Sequence, residues 1–256
     1  MFEEYPHLPR PLTKLVMSLK RKKYRMEEGL STAEGFRLIE EALKEKVPLH
    51  SAFFTLEALQ QLKETVVKIT SQGIKVYKVS PGEMERLSPL KTPPGSLIVY
   101  ETNFTPAPRK GNIIVALYKI SDPGNLGTVI RTSDWFGAVK VILSQESAEL
   151  HNPSTVRGSM GAIFRIPVET EVDLPAELHR LKSLGYKIAV ALTRGGQKPF
   201  RIKEDVILVT GDEYGELPEE VVSLANYKLT IPQKGGGESL NLASAVSILL
   251  YAMTEG

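Results

Sequence analysis

Two runs of aliphatic and β-branched residues constrain this chain most: NIIVAL, opening the segment Asn112–Ile120, and VILV at Val206–Val209. A strand with one face in water alternates apolar and polar residues. These runs do not alternate, so both faces must be covered. Four further strand candidates accompany them, at Val139–Leu143, Ile163–Val168, Lys187–Leu192 and Lys228–Ile231. Helical stretches lie between, at Thr128–Phe136, Ala176–Leu184 and Glu238–Met253. Strands alternating with helices predict an α/β domain around a parallel sheet.

Residues 1–102 form a second, smaller α/β series. The spacing of Leu12, Leu15, Val16 and Leu19 predicts a helix that runs into the basic stretch KRKKYR. Thr32–Gly35 opens a helix from Phe36 to about Glu45, with Leu38, Ile39, Ala42 and Leu43 on one face. Strands are expected at Ser51–Thr55, Lys75–Val79 and Ser96–Glu101, and a helix over Leu56–Ile69. The Pro-rich, weakly apolar segment NFTPAPRKG, residues 103–111, reads as the linker to the second domain, 112–256.

Charge is uneven. The formal net charge is only +2, yet Arg10 to Arg25 holds seven basic residues and no acid. Lys20, Arg21, Lys22, Lys23 and Arg25 form its densest part, and such a cluster points to a polyanion partner. The 256 residues contain no cysteine, which excludes a disulfide framework, a thiolate metal site and a cysteine nucleophile. The four histidines are scattered without ligand spacing, so no metal is expected. The N-terminus lacks the apolar stretch of a signal peptide, and the uncharged run Ser239–Thr254 is too short to cross a membrane. A cytoplasmic protein is the expectation. The single Trp135 has no evident stacking partner and is expected in the core.

In open parallel sheets, ligands collect at the C-terminal ends of strands. Three such ends are rich in glycine and polar residues: SDPGNLGTVIRT at 121–132, TGDEYGEL at 210–217 and IPQKGGGESLN at 231–241. None is a known phosphate loop. No GxGxxG opens the sheet, and Gly235–Gly237 precede Glu238-Ser239 and not Lys-Ser/Thr. No serine sits in a GxSxG elbow.

The same three segments resemble the motifs of the SpoU/TrmH family of RNA ribose methyltransferases. Asn125 to Thr132 is similar to N-x-G-x-x-x-R-(S/T). Leu208 to Glu213 is similar to a strand ending in G-(N/S/D)-E. Ile231-Pro232 with Ser239-Leu240-Asn241 is similar to I-P-x-x-G-x-x-x-S-L-N. Order and separation agree across positions 112–253, and VRGSMGAIFRIPV at 156–168 resembles the stretch between the first two motifs. Upstream, KKYRMEEGLSTAEGFRLIEEAL is similar to the RNA-binding domain of many members.

The resemblance implies a deep trefoil knot in the C-terminal sheet, S-adenosylmethionine as methyl donor, and a homodimer formed through the C-terminal domain. The acceptor would be a ribose 2′-hydroxyl of rRNA, with tRNA the second choice. It assigns Arg131, Asn125, Glu213, Ser239 and Asn241 to catalysis. It assigns Leu192, Thr193, Gly211, Ile231 and Leu240 to the cofactor pocket. Arg131 is the residue at the reacting hydroxyl, although a guanidinium stays charged and serves better as an electrostatic group than as a base. A surface pair with Asp134 at i+3 is its bland alternative. The chain departs from the family pattern at Tyr214-Gly215-Glu216, at Gln233 and at Leu242-Ala243. A non-catalytic RNA-binding or ribosome-assembly protein that kept the fold, and a base-directed methyltransferase, therefore stay open as alternatives.

Overall fold

A computed structural model describes residues 5–211 and 217–255. In chain order the elements are α1 (Arg10–Ser18), α2 (Lys22–Glu28), β1 (Leu30–Glu34), α3 (Phe36–Lys44), β2 (Leu49–Phe54), α4 (Leu56–Gln61), α5 (Lys63–Ser71), β3 (Lys75–Lys78), α6 (Pro81–Leu87) and β4 (Ser96–Glu101). There follow β5 (Ile113–Tyr118), α7 (Pro123–Trp135), β6 (Lys140–Ser144), α8 (Pro153–Ser159), β7 (Val168–Val172), α9 (Leu174–Ser183), β8 (Lys187–Ala191), β9 (Val206–Gly211), α10 (Glu219–Ser223), β10 (Tyr227–Leu229) and α11 (Leu242–Glu255). They divide into two compact units. The first holds residues 1–105 together with 151–164, and the second holds 106–150 and 165–256.

The first unit is a four-stranded sheet of order β1-β4-β2-β3. Strand β4 lies between β1 and β2 and is antiparallel to both, whereas β2 and β3 run parallel. Val16 and Leu19 pack with Phe53, Met84, Leu87, Leu97 and Val99 to cover one face. Helix α6 starts with a full capping box: Ser80 Oγ accepts from Glu83 N, and the Glu83 carboxylate accepts from Ser80 N. The segment 151–164 joins this unit by docking α8 on β1. Ser31 Oγ donates to the His151 carbonyl at 2.7 Å, and Tyr100 meets Phe164 edge-on at 5.3 Å.

The second unit is a six-stranded sheet of order β10-β8-β9-β5-β6-β7, parallel throughout. Its central strands are buried on both faces, as their unbroken apolar runs require. Ile114, Ala116, Ile188, Val190, Ile207 and Val209 on one face pack against Leu174, Leu178 and Leu181 of α9.

Several expected elements differ. The basic stretch does not extend the first helix. The chain breaks after Ser18, and α2 begins at Lys22 and stops at Gly29, whose left-handed φ of 63° ends it. Strand β1 arises where only a helix start was expected, because Leu30–Glu34 pairs residue for residue with β4. No strand covers Ile163–Val168. Residues 162–164 form a 3₁₀ turn and β7 begins only after Pro167, which has no N–H to give a ladder. Helix α7 opens at Pro123, earlier than expected, since Asp122 caps it by accepting from Asn125 N at 2.6 Å. Helix α11 opens at Leu242 and not at Glu238. Trp135 is 82% exposed and not in the core.

Candidate active site at the strand ends

All six strands of the second unit run the same way, so the loops after β5, β8, β9 and β10 emerge at one edge of the sheet. Parallel register sets Tyr118 of β5 beside Gly211 of β9. Next to them, the chain after β8 is stitched to the end of β10. Leu192 N donates to Leu229 O, Gln197 N to Lys228 O and Thr230 N to Gln197 O, each within 2.9 Å. Thr230 Oγ1 completes the tie, donating to Leu192 O at 3.1 Å and accepting from Gly196 N at 2.9 Å. Gly196 is required there: a Cβ would lie 2.7 Å from Lys228 O and from Thr230 Oγ1. The stitching brings together three expected pocket positions, Leu192, Thr193 and Ile231, on loops adjacent to Gly211.

The first and third motifs meet directly. Asn241 Nδ2 donates to Asn125 Oδ1 at 2.9 Å, across 116 positions of sequence. Both residues also work locally: the Asn125 main-chain N–H donates to Asp122 Oδ1, and Asn241 Oδ1 accepts from Ser244 N at 3.3 Å at the start of α11. Helix α11 lies along α7, with Thr132 and Ser247 hydroxyls 3.4 Å apart.

The Arg131 side chain is exposed on α7 and makes no hydrogen bond or ion pair among the described residues. Asp134 is not its partner. That carboxylate is occupied by Arg109, whose Nη1 is 2.6 Å from Oδ1, and by Arg165, whose Nη2 and Nε are 2.7 and 3.0 Å from Oδ2. The sequence offered no way to find this clamp, because Arg109 was in the linker and Arg165 in a misassigned strand. The Asp122 cap was more legible, since Asp-Pro before an apolar run is a helix-start signal.

Ser239 and Leu240 are exposed on the 232–241 loop, with Leu240 49% accessible. Among the described residues, no main-chain hydrogen bond joins positions 231–240 to other main-chain groups. Apart from the Gly237 carbonyl, which accepts from Gln233 Nε2 at 2.8 Å, and Pro232, which has no N–H, these main-chain groups face no main-chain partner and suit a ligand. Glu213, expected to be catalytic, lies outside the described residues. No group of three or more metal-ligating side chains occurs among the described residues.

The basic cluster in the first unit divides in two. Arg21, Lys22 and Lys23 are exposed. Arg25 is not available to a phosphate: it is 3% exposed and its Nη1 donates to Leu19 O at 2.6 Å, which closes the α1–α2 corner. Lys20 Nζ is likewise committed to the carbonyls of Arg86 and Ser88, at 2.6 and 2.7 Å.

A parallel α/β sheet carrying three glycine-bearing motifs at one edge, two of them joined through paired asparagines, defines the class of methyltransferases to which the motifs were likened. Residues 112–251 match the SpoU rRNA Methylase family, and residues 10–97 match the MRM3-like substrate binding domain. The chain belongs to the SpoU family and is an RNA methyltransferase of that kind. A Bacillus subtilis (strain 168) protein named 23S rRNA (guanosine(2553)-2′-O)-methyltransferase RlmP is 32% identical to it, over 91% of this chain and 92% of that one. The AdoMet-bound rRNA methyltransferase from Sinorhizobium meliloti superposes with a TM-score of 0.83 at 29% identity, covering 96% of this chain and 95% of that one. No helix among the described residues is long and apolar enough to cross a membrane.

Proposed function

We propose that this chain transfers a methyl group from S-adenosylmethionine to a ribose 2′-hydroxyl of rRNA. The observation that carries this reading is the Asn241–Asn125 hydrogen bond, because it draws the third motif onto the helix that bears Arg131.

The cofactor supplies an electrophilic methyl on a sulfonium sulfur. The residues present fit its other half. An adenine has donor and acceptor edges suited to unpaired main-chain groups and a flat face suited to aliphatic side chains. The loop at 231–240 offers such groups, and Leu240 and Leu192 offer aliphatic surface beside Thr193, Gly211 and Ile231.

The work left to the protein is alignment of the hydroxyl with the methyl and stabilisation of charge on the oxygen. Holding reactants in attack geometry lowers a barrier by up to roughly 7–11 kcal/mol. Arg131 fits the second task. Its guanidinium is charged and without a partner among the described residues, so it is available to grip a phosphate beside the target ribose bidentately or to stabilise the developing alkoxide. Asn125 and Asn241 hold the two motif loops, and Ser239 and Glu213 complete the expected constellation. The proton leaves to the neighbouring phosphate or to water, since a guanidinium does not give up its own.

The same reading includes the family's trefoil knot and a homodimer. In support of the knot, the chain leaves β10 at the far edge of the sheet and returns as α11 against α7, which follows the interior strand β5. In support of the dimer, Trp135 on α7 and Ile248 and Tyr251 on α11 leave apolar surface in water.

Arg131→Ala tests the assignment. The variant keeps S-adenosylmethionine affinity by calorimetry and loses methyl transfer to rRNA by at least 100-fold, an order of magnitude seen when one charge-stabilising group is removed. Full transfer by the variant removes Arg131 from the mechanism. A wild-type protein that fails to bind the cofactor removes the enzymatic reading altogether.

A further inference from the structure

The first unit contains a cavity of about 120 Å³ that the reaction above does not use. Clefts for whole small molecules usually begin at roughly 300 Å³, so this one suits a single flat fragment. Glu34, at the end of β1, lines one wall, and Arg157, on α8, lines another. Leu38, Pro89, Pro153 and Val156 give apolar surface between them.

The Glu34 carboxylate is held in a prepared position. Ser88 Oγ donates to its Oε2 at 2.6 Å and itself accepts from Leu90 N at 2.9 Å. Lys20 anchors the same turn through the carbonyls of Arg86 and Ser88. Burial pushes the Glu34 carboxyl above its ordinary range, against the pull of Ser88, Lys20 and Arg157. Among the described residues nothing bonds Oε1, and the exposed Arg157 guanidinium makes no hydrogen bond or close ion pair, acting on Glu34 only through its charge. A carboxylate with spare acceptor sites and a guanidinium with spare donors thus share one small cavity.

Its ligand must be flat and must offer N–H donors beside an acceptor. A phosphate is rejected by Glu34. We propose that the cavity receives an unpaired guanine base of the RNA substrate, with Glu34 accepting from its N1–H and N2–H and Arg157 donating to its O6. This rests on the RNA-methyltransferase reading above. Guanine alone among the four bases sets two N–H donors side by side on its Watson–Crick edge. Adenine and cytosine set an amino group beside a bare ring nitrogen, and uracil has one N–H between two carbonyls. Single-stranded RNA is read along such edges by paired side chains.

The test is fluorescence anisotropy with the full chain and labelled oligouridine RNAs carrying one central guanosine, inosine, adenosine or cytidine. Guanosine is expected to bind about tenfold tighter than adenosine or cytidine, the span of one bidentate contact. Inosine, which lacks N2–H, falls between. Glu34→Gln and Arg157→Met each abolish the preference while leaving plain oligouridine affinity and S-adenosylmethionine affinity unchanged. Should Glu34→Gln fail to fold, Arg157→Met decides, since that side chain is exposed. A wild type without guanosine preference overturns the proposal, as does a preference that survives in a folded variant. Methyl transfer to rRNA, assayed in parallel, keeps the two readings apart: transfer without guanosine preference sinks only the cavity, and absence of transfer sinks the enzymatic reading first.

Discussion

Asn241 Nδ2 donates to Asn125 Oδ1 at 2.9 Å, so the loop that ends at α11 is tied to the first turn of α7 by one side-chain amide pair. If that pair holds the site together, its effect must exceed the sum of its parts. Asn125→Ala and Asn241→Ala are each expected to slow methyl transfer. In a double-mutant cycle on unfolding, the two changes should couple by about 0.5–1.5 kcal/mol, the net worth of one intramolecular hydrogen bond. Asn241→Ala should also lose about 1 kcal/mol as the cap of α11 is removed. Strict additivity in the cycle, with unaltered transfer in either single variant, would show that the two loops reach their positions independently.

Much of the second unit was legible because its information is local. The runs NIIVAL and VILV demand burial on both faces, and they occupy β5 and β9 in the middle of the sheet. The motif segments follow the same logic: the first comes after β5, the third after β10, and Thr210-Gly211 of the second close β9. What could not be read depends on pairings distant in sequence. Strand β1 exists because Leu30–Glu34 finds β4 about seventy positions later, and nothing within LSTAE announces it. Asp134 was a plausible partner for Arg131 by helical spacing, yet Arg109 and Arg165 reach it from outside the helix. The basic cluster was misleading for the same reason. Seven like charges read as one patch, but Arg25 turns inward to a carbonyl and Lys20 spends its charge on the α6 end. Trp135 shows a further limit: composition predicts burial for a tryptophan but not whether its own chain supplies the cover.

Glu34 gives a pH dependence with a definite sign. Burial raises its folded pKa above the unfolded value. The folded state therefore holds the proton more tightly, and stability from this group is full below the ordinary carboxylate range and lost as pH rises through the raised pKa. Above that point ionised Glu34 is a cost. Glu34→Gln keeps an acceptor for Ser88 and removes the charge, so it should raise Tm near neutral pH. The gain should shrink as pH falls below the raised pKa, where the wild-type side chain takes up its proton and becomes neutral as well. Thermal melts followed by circular dichroism at neutral pH and below that pKa check this. A destabilised variant at neutral pH would mean that Lys20 and Arg157 outweigh desolvation.

Salt dependence separates the two halves of the basic cluster. Each phosphate contact to single-stranded RNA contributes about 0.7 to the slope of log K against log salt. Replacing Arg21, Lys22 and Lys23 together by alanine should lower the magnitude of that slope by about 2. Arg25→Ala should leave the slope alone and instead destabilise the fold by about 1–3 kcal/mol, since it strands the Leu19 carbonyl at a buried corner. Titrations across several salt concentrations, paired with denaturant unfolding, measure both quantities. A slope that drops for Arg25→Ala in a fully stable variant would reverse this division.

The proposed homodimer rests on an apolar surface that the second unit leaves uncovered. Trp135 is 82% exposed, Tyr251 59% and Ile248 43%, on two helices packed side by side. Tyr251 also meets Phe136 edge-on at 6.4 Å, which fixes its ring at the surface between α7 and α11. Aromatic residues are enriched where protein surfaces bury one another, and each carries a large apolar area. A charge placed there costs little in an isolated chain and much in a buried interface. Trp135→Glu and Tyr251→Glu should therefore leave secondary structure and Tm of the monomer near those of the wild type, while shifting the mass by light scattering from dimer to monomer. Because α7 carries Arg131 and Asn241 caps α11, the same variants should lose methyl transfer in proportion to the monomer fraction. A wild type that is monomeric at micromolar concentration, or charged variants that remain dimeric, would locate the partner surface elsewhere.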